Sequence, residues 1–285
     1  MSPGSLLALY CLAIAAVSVA GGILPDRVRL THTRTQLIMS LVAGLMLGVA
    51  FYHLLPHSII LGGAEDATDR AVWWLMIGLI VMFLLLRLFH FHQHDFSHEE
   101  HAHHDHANEP GHTAHRFSWA GIALGLSLHT LIDGVALGAV MRGEGGQHVG
   151  PMGLGVFLAI LLHKPLDAMS ITALMEAGGW SRRARRAVNL LFAAMCPLGA
   201  LLFFVGVDLV ADGRDTVVAA ALAFSAGAFI CIALSDLLPE VHFHSHDRGK
   251  LTLAFLLGIV LAYSIGGLEP SSLHHGQEMT EGNGW

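Results

Sequence analysis

Charge is scarce in this chain. Only 13% of its 285 residues are Asp, Glu, Lys or Arg, against 54% that are hydrophobic, and the mean hydropathy is +0.59. So few charges fit long apolar runs that cross a bilayer rather than a soluble domain. The net charge of −7, with histidine neutral, argues against a nucleic-acid footprint. Cysteine occurs three times, at Cys11, Cys196 and Cys231, each inside an apolar run, which is too few and too scattered for a disulfide framework. No Lys or Arg precedes the first apolar run, LLALYCLAIAAVSVA, whereas Arg27, Arg29 and Arg34 follow it. A secretory signal carries its positive charge first, so this run is expected to be a retained first span. There is no G-x-x-x-x-G-K-[ST] stretch, which argues against nucleotide-driven pumping. His-Glu-x-x-His is also missing, and HEEH at 98–101 has the wrong spacing for that zinc helix.

What the chain does have is long hydrophobic stretches. A window of about 19 residues marks eight of them: 5–24, 36–60, 72–90, 117–141, 151–176, 184–206, 215–240 and 250–268. Backbone in lipid must satisfy its own hydrogen bonds, so each is expected to be a helix and the fold class all-α, a polytopic membrane protein. Eleven basic residues fall on one side of the alternating loops, among them Arg182, Arg183, Arg185 and Arg186 after span 5. Three, Arg70, Arg142 and Arg214, fall on the other. The positive-inside rule then places both termini outside the cytosol. The expected organisation is spans 1–3 in residues 1–89, a cytosolic His-rich loop at 90–116, spans 4 and 5 in 117–176, spans 6–8 in 177–268 and an extracytosolic tail at 269–285.

Two short patterns occur twice. AFYHLLPH (50–57) in span 2 pairs with ALSDLLPE (233–240) in span 7, setting Gly44 against Gly227, His53 against Asp236 and His57 against Glu240. HTLID (129–133) in span 4 echoes HKPLD (163–167) in span 5. By the charge count the members of each pair cross the membrane in opposite senses. That predicts a 3+2+3 inverted-repeat arrangement of the kind found in secondary transporters.

Spans 4 and 5 also carry charge where it is costly. Asp133, Lys164 and Asp167 sit near the middle of apolar runs, where insertion of a charge costs about 2.5–3.5 kcal/mol. His129 and Asp133 are four apart, as are His163 and Asp167, so each pair shares one helical face. Packed together, the two helices would surround one point with two imidazoles and two carboxylates, an N/O set suited to a divalent transition metal such as zinc. Two carboxylates also balance one dication. Pro165 cannot donate to the carbonyl of Leu161, so span 5 should kink there, with that carbonyl available to an ion, a water or a ligand histidine. Pro56, Pro197 and Pro239 should act likewise in spans 2, 6 and 7. Glycines at 121, 125, 134 and 138 should let span 4 approach its neighbours.

HTLIDG in span 4, HKPLD in span 5, MCPLGALLF in span 6, the LLP endings of spans 2 and 7 and a His-rich loop after span 3 together resemble the ZIP (Zrt/Irt-like) family of divalent metal transporters. The resemblance covers essentially the whole chain. It implies eight helices with both termini outside, a metal path on spans 4 and 5 and uptake toward the cytosol. It further implies a homodimer in the plasma (inner) membrane and an elevator-like shift of spans 1, 4, 5 and 6 against the rest. Zinc is the expected cargo, with Cd2+, Fe2+ or Mn2+ as alternatives, and no organic cofactor is implied. The chain departs from the family pattern at Thr130, where many members have Asn, and at Asp133 and Asp167, where many have Glu. Lys164 stands where bimetal members have an acid, and Cys196 where some have Glu. An ammonium at 164 is expected to stand in for a second cation, leaving a single-metal centre. Thr130, Lys164 and Cys196 are thus accessory candidates beside the four ligands, with a plain buried thiol as the alternative for Cys196.

Residues 90–115 contain ten histidines, lack apolar periodicity and read as a disordered, metal-binding cytosolic segment. His53 and His57 toward the outer end of span 2 are candidates for an inlet relay. Asp236, Glu240 and His242 at the inner end of span 7 are candidates for an exit relay. The alternative is that these groups simply sit in interfacial water. Two other functions compete. A cation-diffusion-facilitator-type exporter is similar in its paired His/Asp motifs, but has six spans and a soluble C-terminal domain. A metal-dependent intramembrane hydrolase would use zinc-bound water, but four protein ligands leave it no open position.

Overall fold

The computed structural model of the protein describes residues 2–24, 32–63, 65–90, 118–143, 153–210, 213–237 and 248–266. Among them there is no strand. Eight helices are long and apolar enough to cross a membrane: Pro3–Ile23, Thr33–Gly62, Ala67–Leu88, Trp119–Gly143, Leu154–Ala177, Arg182–Leu209, Arg214–Ser235 and Arg248–Gly266, here spans 1 to 8. The chain is an all-α, multi-pass membrane protein. The span boundaries follow the hydropathy reading closely; the largest offset, five residues, is at Ala67 against 72, and the expected end of span 7 at 240 lies outside the described residues.

Two spans are interrupted where sequence alone suggested only a proline effect. Span 2 runs as α-helix over His32–Val49, widens into a π-turn at Ala50–Leu54, and resumes over Leu55–Gly62 with Pro56 in its first turn. Span 6 breaks at Ala194 between Arg182–Ala193 and Met195–Gly206, with Pro197 in the first turn of the second piece. A proline offers no N–H to the carbonyl one turn back and its ring crowds that carbonyl, so the helix is disturbed in the turn before each of these residues. Span 5 behaves differently, since its helix Leu154–Ala177 continues through Pro165. The proline lies against Gly21 of span 1, where a Cβ would be only 2.8 Å from its Cβ. Pro239 is outside the described residues.

The spans pack in pairs: span 1 lies on span 5, span 4 on span 6, span 2 on span 8 and span 3 on span 7. Spans 1, 4, 5 and 6 are called one bundle and spans 2, 3, 7 and 8 the other; the two share a core and touch where span 4 meets span 7 and span 2 meets span 5. Glycine sets the closest approaches. A Cβ on Gly44 would overlap the carbonyl of Phe255 in span 8, and a Cβ on Gly227 would overlap the carbonyl of Leu75 in span 3. Removing the Cβ is what lets the backbones touch. In span 4, Gly134 and Gly138 do the same against the carbonyls of Cys196 and Ala200. A second π-turn spans Ala233–Leu237 of span 7. The two π-turns begin on the two alanines that the LLP alignment pairs, Ala50 and Ala233, and the paired glycines Gly44 and Gly227 make equivalent contacts.

Candidate metal centre

Spans 4 and 5 bring their polar side chains to one point. His129, Thr130, Asp133, His163 and Lys164 are buried, while the Asp167 side chain keeps 14% exposure. Oδ2 of Asp133 lies 3.2 Å from Nε2 of His163 and 3.5 Å from Nε2 of His129. Oδ2 of Asp167 lies 3.5 Å from Nε2 of His129 and 3.8 Å from Nε2 of His163. The two rings stand 5.5 Å apart, tilted by 41°. One ligand atom each from His129, His163 and Asp167 falls within 4.8 Å of the others. Tetrahedral zinc with bonds of about 2.0–2.1 Å puts its ligand atoms about 3.3–3.4 Å apart, so these separations suit an ion once Nζ of Lys164, which touches the same oxygens, moves aside.

The local reason for the convergence is helical spacing, with a backbone brace added. Nδ1 of His163 lies 2.7 Å from the carbonyl oxygen of Ala159. A carbonyl only accepts, so Nδ1 carries a proton, and in the neutral ring Nε2 keeps a lone pair that can accept from Nζ of Lys164 at 3.1 Å or bind a metal; its contact with Oδ2 of Asp133 is a hydrogen bond only in the protonated ring. The carbonyl of Leu161, freed by Pro165, was expected to meet an ion, a water or a ligand histidine; His163 takes the carbonyl of Ala159, one turn before it. Oδ1 of Asp133 and Nδ1 of His129 are buried with no hydrogen-bond partner among the described residues. An oxygen in that state is an available ligand for a cation.

Lys164 occupies the middle. Its Nζ lies 2.5 Å from Oδ2 of Asp133 and 2.9 Å from Oδ2 of Asp167, donates to Oγ1 of Thr130 at 3.1 Å, and lies 3.1 Å from Nε2 of His163. Its ammonium therefore neutralises one of the two buried carboxylate charges. Phe192 of span 6 closes this side, its ring centre 5.9 Å from Nζ. Cys196 is fully buried on the same span, within electrostatic reach of Lys164 and Asp133.

The remaining candidates lie elsewhere. His53 is buried in the π-turn of span 2, His57 is half-buried one turn on, and Asp236 stands in the π-turn of span 7. Glu240, His242 and the histidine-rich residues 91–116 lie outside the described residues.

This geometry, on eight spans, agrees with sequence comparison. The model of the family described as ZIP Zinc transporter matches residues 88–266, more than half of the chain. The chain belongs to the ZIP zinc transporter family. Zinc transporter ZIP9-B of Xenopus laevis is 26% identical over 283 residues, covering 85% of this chain and 88% of that protein. Zinc transporter ZIP9 of Micropogonias undulatus is 34% identical over 164 residues, covering 53% and 51%. Zinc transporter GufA of Myxococcus xanthus is 25% identical over 223 residues, covering 77% and 82%. In this ZIP chain, sequence reasoning missed the brace on Ala159, because a backbone carbonyl has no sequence signature. It also missed Asn189, buried on span 6, whose Nδ2 donates to the carbonyl of Val19 at 3.0 Å and which packs on Gly22. A lone Asn in an arginine-flanked apolar run was the available signal.

Proposed function

We propose that this protein carries a divalent transition-metal ion, zinc foremost, across the membrane toward the cytosol, and that His129, Asp133, His163 and Asp167 hold the ion on its way. The observation that carries this reading is the braced His163. The brace leaves its Nε2 without a proton in the neutral ring, beside carboxylate oxygens of Asp133 and Asp167 at near-tetrahedral separations and the ammonium of Lys164. Membership of the ZIP family and the zinc transporters among its relatives support zinc as cargo. Lys164 serves as a tethered cation in the place of a second ion, so one metal binds per chain. Thr130 orients that ammonium, and Cys196 lines the pocket. Paired glycine contacts and paired π-turns support the 3+2+3 inverted repeat. The charge asymmetry of the loops supports termini outside the cytosol. We further expect a homodimer in the cell (inner) membrane.

The reaction is translocation, with no bond made or broken in the cargo. The cluster replaces part of the ion's hydration shell as the ion enters, and its partial charge compensation keeps binding weak enough for release. The test is zinc uptake into proteoliposomes. Wild type should accumulate zinc, while His129→Ala and Asp167→Ala should each lose at least about 90% of the initial rate, with folding intact by size-exclusion profile. Undiminished flux through either variant would refute the site.

A further inference from the structure

His53 belongs to the second bundle, outside the metal centre. It is only 5% exposed, on the π-turn Ala50–Leu54. A π-turn rotates a side chain out of ordinary helical register, and such turns recur where function requires it. Here it carries the ring onto span 8, where Nε2 lies 2.8 Å from the carbonyl oxygen of Ala262. With a carbonyl as partner, Nε2 is the donor, so the ring is held by its own bundle. Its edge then faces the other bundle. A Cβ on Gly155, the second residue of span 5, would lie 3.3 Å from Cε1 and Nδ1 and 3.4 Å from Nε2. On the other side, a Cβ on Gly266 would lie 3.5 Å from Cε1. The ring is thus seated between two residues that lack a side chain, and one of them begins the span that carries His163, Lys164 and Asp167.

We propose that His53 is a latch between the bundles: a ring fixed to span 8 that seats span 5 through Gly155 in this conformation and releases it when the metal-bearing bundle moves. The proposal rests on the transport reading, with translocation carried by a shift of spans 1, 4, 5 and 6 against the rest. Glycine suits the moving side, because a ring can part from bare backbone without threading past a side chain, whereas any side chain at 155 would interlock with it. His53 is therefore a positioning residue, outside the cluster of spans 4 and 5.

The test is a double-variant cycle on the full chain, reading zinc uptake in proteoliposomes, zinc binding by purified protein and melting temperature in detergent. Gly155→Leu should lower the initial uptake rate by about fivefold or more with zinc affinity unchanged, and His53→Ala/Gly155→Leu should recover to within about twofold of His53→Ala, because removing the ring makes room for the leucine. If Gly155→Leu folds poorly, Gly155→Ala, whose methyl needs only a few tenths of an ångström, should show the same rescue on a smaller scale. A double variant no better than the single one, in rate and in melting temperature, would overturn the latch, as would wild-type uptake by Gly155→Leu. Absence of uptake by wild type would instead sink the transport reading. The melting-temperature cycle would still decide the contact, expecting Gly155→Leu to destabilise the protein only when His53 is present.

Discussion

Lys164 is the residue on which the centre's charge turns. Two buried carboxylates face it at 2.5 and 2.9 Å. With neutral imidazoles the cluster carries one net negative charge. A dication takes it to one net positive charge, so Lys164 opposes tight binding. Replacing Lys164 with Met leaves two negative charges that a dication cancels. At an effective dielectric of 20, a unit charge pair at 4 Å is worth about 4 kcal/mol. Movement of the lysine off the ion reduces that, so we expect Lys164→Met to bind zinc about tenfold tighter or more. Without metal the variant should melt at a lower temperature, because a buried charge has lost its partner. Thermal melts with and without zinc check both; a zinc-induced rise no larger than in wild type would reject the role. Lys164→Asp should raise tightly bound zinc from one ion to two in a chain lacking 91–116, counted by elemental analysis. The convergence of His129, Asp133, His163 and Asp167 was legible in the sequence because a spacing of four fixes a common helical face. The nearness of Lys164 to the acids was expected from the family resemblance, in which bimetal members carry an acid there, and not from its place beside His163, since neighbouring helical residues point apart. The brace on Ala159 was not legible, since any residue supplies a carbonyl.

At the scale of elements, hydropathy delimited the eight spans because lipid demands about 20 apolar residues per helix. Their interruptions were less visible. Pro56 and Pro197 marked that something happens in spans 2 and 6, but a proline signals a missing donor without saying whether the helix kinks, breaks or widens. The π-turn at Ala233–Leu237 could be anticipated only through its partner at Ala50–Leu54, and His53 gains its place on span 8 from that widening. The glycines were easier to interpret, since paired glycines in paired segments imply paired close approaches. Gly44 and Gly227 touch carbonyls of spans 8 and 3, respectively, and a larger side chain cannot fit without separating the helices. Gly44→Leu and Gly227→Leu should each destabilise the protein by about 1–3 kcal/mol or more. Each should lower the melting temperature in detergent by several degrees. An unchanged melt for either would mean that the helices part at no cost, against the packing described here.

For the whole molecule, sequence and structure join at the question of sidedness. Eleven of the basic residues lie on one side of the alternating loops, and the Arg182–Arg186 cluster follows directly on span 5. Along that span Asp167 lies one turn beyond His163 toward the same end, and its side chain retains 14% exposure. Away from that end, Ala136, Leu137, Val140, Val156, Ala159 and Ile160 belong to the large apolar core. Toward it, Ala123, Ala168, Ile171, Met175 and Phe192 form a second, smaller buried cluster. The positive-inside rule assigns the arginine-rich end to the cytosol. Single cysteines at two exposed positions separate the alternatives: Ser2→Cys before span 1 and Ala177→Cys at the close of span 5. A membrane-impermeant thiol reagent should label Ser2→Cys in intact cells and Ala177→Cys in inverted vesicles, each above the wild-type background. Asp167→Cys, deeper along span 5, should react from the Ala177 side alone and more slowly than Ala177→Cys. Labelling of Ala177→Cys in intact cells would reverse the orientation, and with it the direction of release, while leaving the metal centre as described.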